Sequence, residues 1–231
     1  LAERAGFAFS EEFYDRLKKM FIFSLYCIKP DGRSPQIGDN DNGRFLIFSR
    51  RPVLDHAYLL SLAAVYYKDS QFKRPGQDFD EEAFWVFGKE GKNSYDSMEE
   101  DQAPLDSREF PDAGWYILRD GEDYCFVSCG PNGQNGEGGH AHNDKLSFEL
   151  MVDGKDVIID PGTFAYTSYP DERNKFRSTA YHNTISVNGE EQAVISDKDL
   201  FGLADEVEIK DAAVTQNKAV LSFKGTIHYE G

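Results

Sequence analysis

Cysteine is scarce in this chain: only Cys27, Cys125 and Cys129 occur among its 231 residues. Three thiols at irregular spacing exclude a disulfide framework or a cysteine-rich zinc cage. Cys125 and Cys129 sit four apart in one strand-like run, on one face but about 13 Å apart, too far to bridge. All three are expected as buried thiols. Long apolar runs are missing too. The best stretch, Met20 to Ile28, is interrupted by Ser24, whereas a membrane-spanning helix needs about 20 apolar residues. No membrane span is expected. Positive charge is in short supply, with 25 Lys and Arg against 41 Asp and Glu, a formal net charge of -16. General nucleic-acid binding is excluded on that ground, because it depends on a surplus of cations to displace phosphate counterions. The same deficit counts against a polyanionic ligand unless the few cations gather locally. Lys145, Arg173, Lys175 and Arg177 lie close in sequence to the histidine and aspartate motifs and could supply such a field. There is no internal repeat or low-complexity tract. The chain begins at Leu1 without a basic or signal-like start, so any targeting segment is expected to have been removed or to lie upstream.

What is present divides into two kinds of pattern. Ser10 is a plausible N-cap followed by Glu11 and Glu12, and Phe13, Leu17, Met20, Phe21, Leu25 and Ile28 recur at helical spacing. The pattern predicts a helix from about 10 to 28. Pro52 suits a first helical turn, and Val53 to Tyr67 is apolar nearly all round, so a second, well-covered helix follows. The connecting loop contains Ile37-Gly38-Asp39-Asn40-Asp41-Asn42-Gly43-Arg44, which resembles a calcium loop but places its glycine one position early. Turn chemistry is the expectation there, with a cleft-lining role as the alternative. Residues 71 to 113 read as a linker with one short helical signal at Glu81 to Phe87 and a partly mobile section near 88 to 110.

From Gly114 the period becomes two. Strands are predicted at Trp115 to Arg119, Tyr124 to Cys129, Leu146 to Val152, Val157 to Ile159, Thr184 to Val187, Val207 to Ile209 and Ala219 to Tyr229. Asp120-Gly121, Asp153-Gly154 and Asn188-Gly189 mark tight turns. Helices first and strands afterward indicate an α+β chain with two segregated layers or domains, residues 1 to 70 and 114 to 231.

Two of the five histidines fall in Gly138-Gly139-His140-Ala141-His142-Asn143-Asp144-Lys145. Asp160-Pro161-Gly162-Thr163 and Tyr181-His182-Asn183-Thr184 follow. His142, Asp160 and His182 are the candidate ligands of one divalent metal, since imidazoles with a carboxylate commonly bind zinc. Asn143 or Asn183 could orient a ring from behind. Geometry constrains this expectation. In a hairpin about Asp153-Gly154, Asp160 lies opposite residue 146, and a straight strand back to His142 would hold that ring about 13 Å away. The ligand set therefore requires the chain to turn at Asn143-Asp144.

These segments resemble the heparinase II/III-like family of polysaccharide lyases, through GGHAHNDKLSFEL, VIIDPGTFAY and FRSTAYHNTISVNG in that order, with a weaker echo in PQIGDNDNGRF. The likeness covers about residues 20 to 195. It implies the terminal helices of an α/α toroid followed by an antiparallel β-sandwich, with anionic polysaccharide in the cleft. It also implies a largely structural zinc on His142, Asp160 and His182, and a catalytic-cleft role for His140. A tyrosine after the Asp-Pro-Gly-Thr segment is a further implied cleft residue, Tyr169 first and Tyr166 second. Arg177 and Lys145 are expected to meet the substrate's charge. A periplasmic or secreted bacterial placement follows from the resemblance alone.

The implied chemistry is β-elimination on a uronic acid, which needs carboxylate neutralisation, a base for the C5 proton and an acid for the leaving O4. The family's principal catalytic tyrosine and its Asn or His partner would lie upstream of Leu1, so the isolated chain is expected to be inactive. Two alternatives remain at this stage. One is a non-catalytic polysaccharide-binding or assembly module. The other is a metal-dependent hydrolase, because His140, His142 and Asp144 match the opening of a metallo-β-lactamase motif; Lys145 stands where that motif has another histidine.

Overall fold

The computed structural model describes residues 2–41, 43–134, 136–217 and 220–229. The chain forms two compact units: residues 1–34 with 42–104, and residues 35–41 with 105–231. Among the described residues no helix is long and apolar enough to cross a membrane.

The first unit is helical. Helix α1 runs Glu11–Cys27, and the Ser10 hydroxyl accepts a hydrogen bond from the Phe13 N–H at 3.3 Å, satisfying one of the otherwise unpaired first-turn donors. Helix α2 is Tyr58–Tyr67, shorter than the apolar pattern suggests. The chain at 52–57 instead turns, with the Asp55 N–H on the Pro52 carbonyl at 3.1 Å. Ala63 and Ala64 on α2 are fully buried, and small side chains there permit close packing against the neighbouring helices. Phe72, also fully buried, lies 6.4 Å from the Phe21 ring; its burial is worth about 1.5–3 kcal/mol. Helix α3, Glu81–Asp96, is broken at Gly88, where φ 67 and ψ -159 leave the helical region. The predicted segment 81–87 is its first half. The second half occupies sequence that reads as a mobile linker, because the glycine break hides its continuation.

The second unit carries the strands. Strands β1 Arg108–Phe110, β2 Trp115–Asp120, β3 Asp123–Ser128, β4 Ser147–Val152 and β5 Lys155–Ile158 form one antiparallel sheet in sequential order. The β4–β5 hairpin closes on Asp153 (φ 49) and Gly154 (φ 69), as a two-residue turn of that handedness requires. Strands β6 Val207–Asn217 and β7 Val220–Tyr229 make a separate antiparallel ribbon. Ala219, where the last strand was expected to begin, lies outside the described residues. The ribbon packs on the sheet around buried Tyr116, Val127 and Cys129, with Val214 and Phe223 from its own strands. Tyr116 donates its hydroxyl proton to the Ala212 carbonyl at 3.2 Å, so its polar tip is satisfied inside the contact. This is an α+β chain, helices followed by antiparallel sheets.

Thr184 to Val187 is not a strand. Side chains at its start bond other backbone: the amide of the preceding Asn183 donates to the carbonyls of Phe148 (3.2 Å) and Ile159 (2.8 Å), and the Thr184 hydroxyl to that of Lys145. A short helix α4, Pro170–Phe176, follows β5 with proline at its first turn.

Candidate active site

The chain turns where the ligand hypothesis requires. Residues 140–146 precede β4 as bends and turns, with the Ser147 N–H on the Asp144 carbonyl at 2.9 Å and Leu146 at φ 62. The turn places His142 beside His182, ring centroids 5.2 Å apart. His182 Nδ1 lies 2.6 Å from Asp160 Oδ2. Burial works to lower the His182 pKa, but the Asp160 hydrogen bond and the charges of Asp160, Asp144 and Glu191 outweigh it and raise it. Asp144 shares this neighbourhood. Desolvation pushes its carboxyl up, Asp160 adds to the effect, and His182 and His142 oppose it.

The principal anchor comes from the 37–44 loop, where turn chemistry is the first expectation and a cleft-lining role the second. Asp39, on the 35–41 segment, is fully buried at its side chain. Its Oδ1 lies 2.9 Å from His142 Nε2 and its Oδ2 3.1 Å from His140 Nδ1. Arg173 of α4, also fully buried, donates to Oδ2. Burial alone would raise the Asp39 carboxyl; the His142 bond and charge, the Arg173 charge and the His140 bond hold it below its ordinary value. Backbone contacts fasten the same segments, with the Asp39 N–H on the His140 carbonyl at 3.0 Å. Gly38 is obligatory at that approach: φ is 49, and a Cβ would lie 2.5 Å from the His140 carbonyl oxygen.

His140 itself is half exposed. Its ring packs 6.0 Å from Tyr166 and 5.0 Å from Phe201. The Tyr166 hydroxyl donates to the Asp39 carbonyl at 3.3 Å. Burial first, then Asp39 and Asp41, push the Tyr166 pKa up against the pull of Arg173. A cavity of about 330 Å³ reaches His140, His142 and Asp144 and is walled by Trp115, Asn132 and Gln134, within the size range of small-ligand sites.

Several expected site residues stand elsewhere. Lys145 is interior: its ammonium pairs with Asp205 and donates to the Val207 carbonyl at 2.7 Å. Arg177 is fully buried and donates to the carbonyls of Gly202 (3.0 Å) and Asp199 (2.9 Å). Both cations hold the loop 196–207. Tyr169 is exposed, with its ring 6.3 Å from Phe164, whereas Tyr166 is the tyrosine beside His140.

Two buried polar atoms bear on metal binding: among the described residues, His142 Nδ1 and His182 Nε2 have no hydrogen-bond partner. Two bare imidazole nitrogens on adjacent rings suit a divalent cation. Among the described residues no three His, Cys, Asp or Glu side chains are arranged as a metal cage. Asp160 meets His182 through a hydrogen bond, the contact by which a carboxylate orients a metal-binding imidazole.

Comparison with known proteins gives concordant matches. The family model described as heparinase II/III-like, C-terminal, matches residues 102–228. A heparin-sulfate lyase of Bacteroides stercoris is 25% identical over 197 residues, covering 81% of this chain and 25% of the lyase. The crystal structure of heparan sulfate lyase HepC from Pedobacter heparinus superposes with a TM-score of 0.62 at 18% identity, over 94% of this chain and 29% of that one. A heparinase III structure gives 0.59 at 19% identity, over 95% and 31%. The chain thus spans about a quarter of the length of the curated relative.

Proposed function

The chain belongs to the heparinase II/III-like family, and from that premise we propose that it is part of a polysaccharide lyase acting by β-elimination on a uronic-acid glycosaminoglycan of the heparin or heparan type. The observation that carries this reading is the half-exposed His140, anchored at Nδ1 on a buried carboxylate and flanked by the Tyr166 ring. In the reaction a base takes the C5 proton, the electron pair forms the C4–C5 double bond, and the C4–O4 bond breaks with protonation of the departing oxygen. His140 presents its outer nitrogen to accept the C5 proton, and once protonated there it would face the neighbouring carboxylate as a cation. A phenol is protonated at neutral pH, so Tyr166, its ring beside that of His140, is placed to donate to O4, and on position it is favoured over Tyr169. Lys145 and Arg177 act inside the fold.

His142 and His182 would hold a divalent metal, zinc by ligand type, with Asp160 as a further ligand or as the orienting partner of His182. When bound, the cation would lock the 140–147 and 181–184 segments together. Its part is structural; the proton transfers belong to side chains.

The test is ultraviolet absorbance of unsaturated uronates released by the full-length protein from heparan-type, hyaluronan-type and alginate chains. Product from the heparan-type chains supports the proposal. Measurable sugar affinity without product from any of them would favour a binding module instead.

A further inference from the structure

We propose that Asp39 is a positioning residue that imposes opposite tautomers on two neighbouring imidazoles, and so decides which nitrogen each one offers. The inference deepens the reading above by naming the working atoms, but it rests on geometry that stands without it.

An ionised carboxylate only accepts hydrogen bonds. Asp39 is buried among His140, His142 and Arg173, whose donors account for both of its oxygens. Each ring nitrogen facing it must therefore carry a proton, and a neutral imidazole has only one. His140 meets Asp39 through Nδ1, which leaves its Nε2 as a bare acceptor. His142 meets it through Nε2, which leaves Nδ1 bare. The buried, unpartnered state of His142 Nδ1 is the independent sign that this assignment is right. On His182 the same logic applies through Asp160: Nδ1 is the protonated atom and Nε2, likewise buried and unpartnered, is the bare one. Nδ1 of His142 and Nε2 of His182 thus become the two nitrogens available to a cation, while Nε2 of His140 is the one available to a substrate.

The backbone reinforces the arrangement. His140 adopts φ 62, a region that few non-glycine residues occupy. It is held there by its N–H on the Phe201 carbonyl at 2.9 Å and by its own carbonyl on the Asp39 N–H. Arg173 pairs with the same Oδ2 that His140 meets and helps to hold the carboxylate in place. One carboxylate thereby orients a ring assigned to chemistry and a ring assigned to metal.

Long-range nitrogen–proton NMR of the ring resonances of the 231-residue chain, above neutral pH and without added metal, reads the tautomers directly. The expected result is His140 protonated at Nδ1 and His142 at Nε2. In Asp39→Ala both rings should relax to mixtures, and zinc affinity measured by competition with a chromogenic chelator should fall about 10- to 100-fold, as for loss of an orienting partner. His140 protonated at Nε2 in the unmodified chain overturns the inference, and this result needs no variant to fold. Unchanged tautomers in folded Asp39→Ala overturn it equally. Correct tautomers together with a full-length protein that releases no unsaturated uronate would defeat the lyase reading and leave this one standing.

Discussion

At the scale of single residues, buried side chains that hold the fold stand apart from exposed ones that do not. Arg177 bonds three loop carbonyls from full burial. Arg177→Ala should therefore cost about 2–4 kcal/mol in denaturant unfolding, since it strips charge-assisted hydrogen bonds and leaves buried acceptors unmet. Exposed Tyr169 makes no such bond among the described residues, and Tyr169→Ala should stay within about 0.5 kcal/mol. Equal effects of the two substitutions would refute that division of roles. The meeting of His142, Asp160 and His182 was legible because rare, chemically specific residues stand in turn-rich breaks beside strands. Asp39 was not. Its ring partners lie 101 and 103 positions away, and nothing local distinguishes a buried clamp from a turn aspartate. Lys145 and Arg177 were misplaced because a cation's position in sequence does not reveal whether its head group faces in or out.

At the scale of elements, helix α3 shows how one glycine can hide half a helix. Gly88 occupies φ 67 and ψ -159, open to glycine and strained for any other residue, so Gly88→Ala should lower stability by about 1–3 kcal/mol despite the empty space around it. An unchanged melting midpoint would argue against the break. The start of the same helix carries a pH signature. Burial raises the Asp80 carboxyl to about 6, with Glu82 adding to it and Arg51 opposing. For Glu82, burial is outweighed by hydrogen bonds from Asp80, Arg51 and Ser49, which hold it well below the carboxylate range.

The signs follow from the unfolded values of about 3.9 for Asp and 4.3 for Glu. Asp80's contribution is complete below its unfolded pKa and is lost as pH rises through about 6. Glu82's is present above its unfolded pKa and is lost as pH falls through its depressed folded value. Stability of the helical unit should thus fall between pH 4 and 6 as Asp80 ionises. Asp80→Asn, which can still cap the Glu82 N–H, should flatten that fall. A variant with the same slope as the parent would remove Asp80 as its origin. The helices and hairpins were readable from period and turn residues; Thr184 to Val187 was not, because its β-branched composition imitates a strand while Thr184 bonds the Lys145 carbonyl and Ile185 and Val187 stay exposed.

At the scale of the whole molecule, each compact unit has its own buried residues, and the strand-bearing unit contains the entire histidine cluster with its Asp39 anchor. The cluster should bind zinc in the isolated chain. Saturating zinc at about 100 times its dissociation constant should stabilise the chain by about 2.7 kcal/mol, and His182→Ala should abolish the gain. Turnover is a property expected of the full-length protein, since this chain spans only a quarter of the curated relative. The most direct test compares full-length wild type, His140→Ala and Tyr169→Ala for release of unsaturated uronate from a heparan-type polysaccharide. The account predicts a loss of at least about 100-fold in kcat for His140→Ala, the usual scale for removing a proton-transfer group, and near-parental rates for Tyr169→Ala. A folded His140→Ala protein that turns over at the parental rate would contradict it.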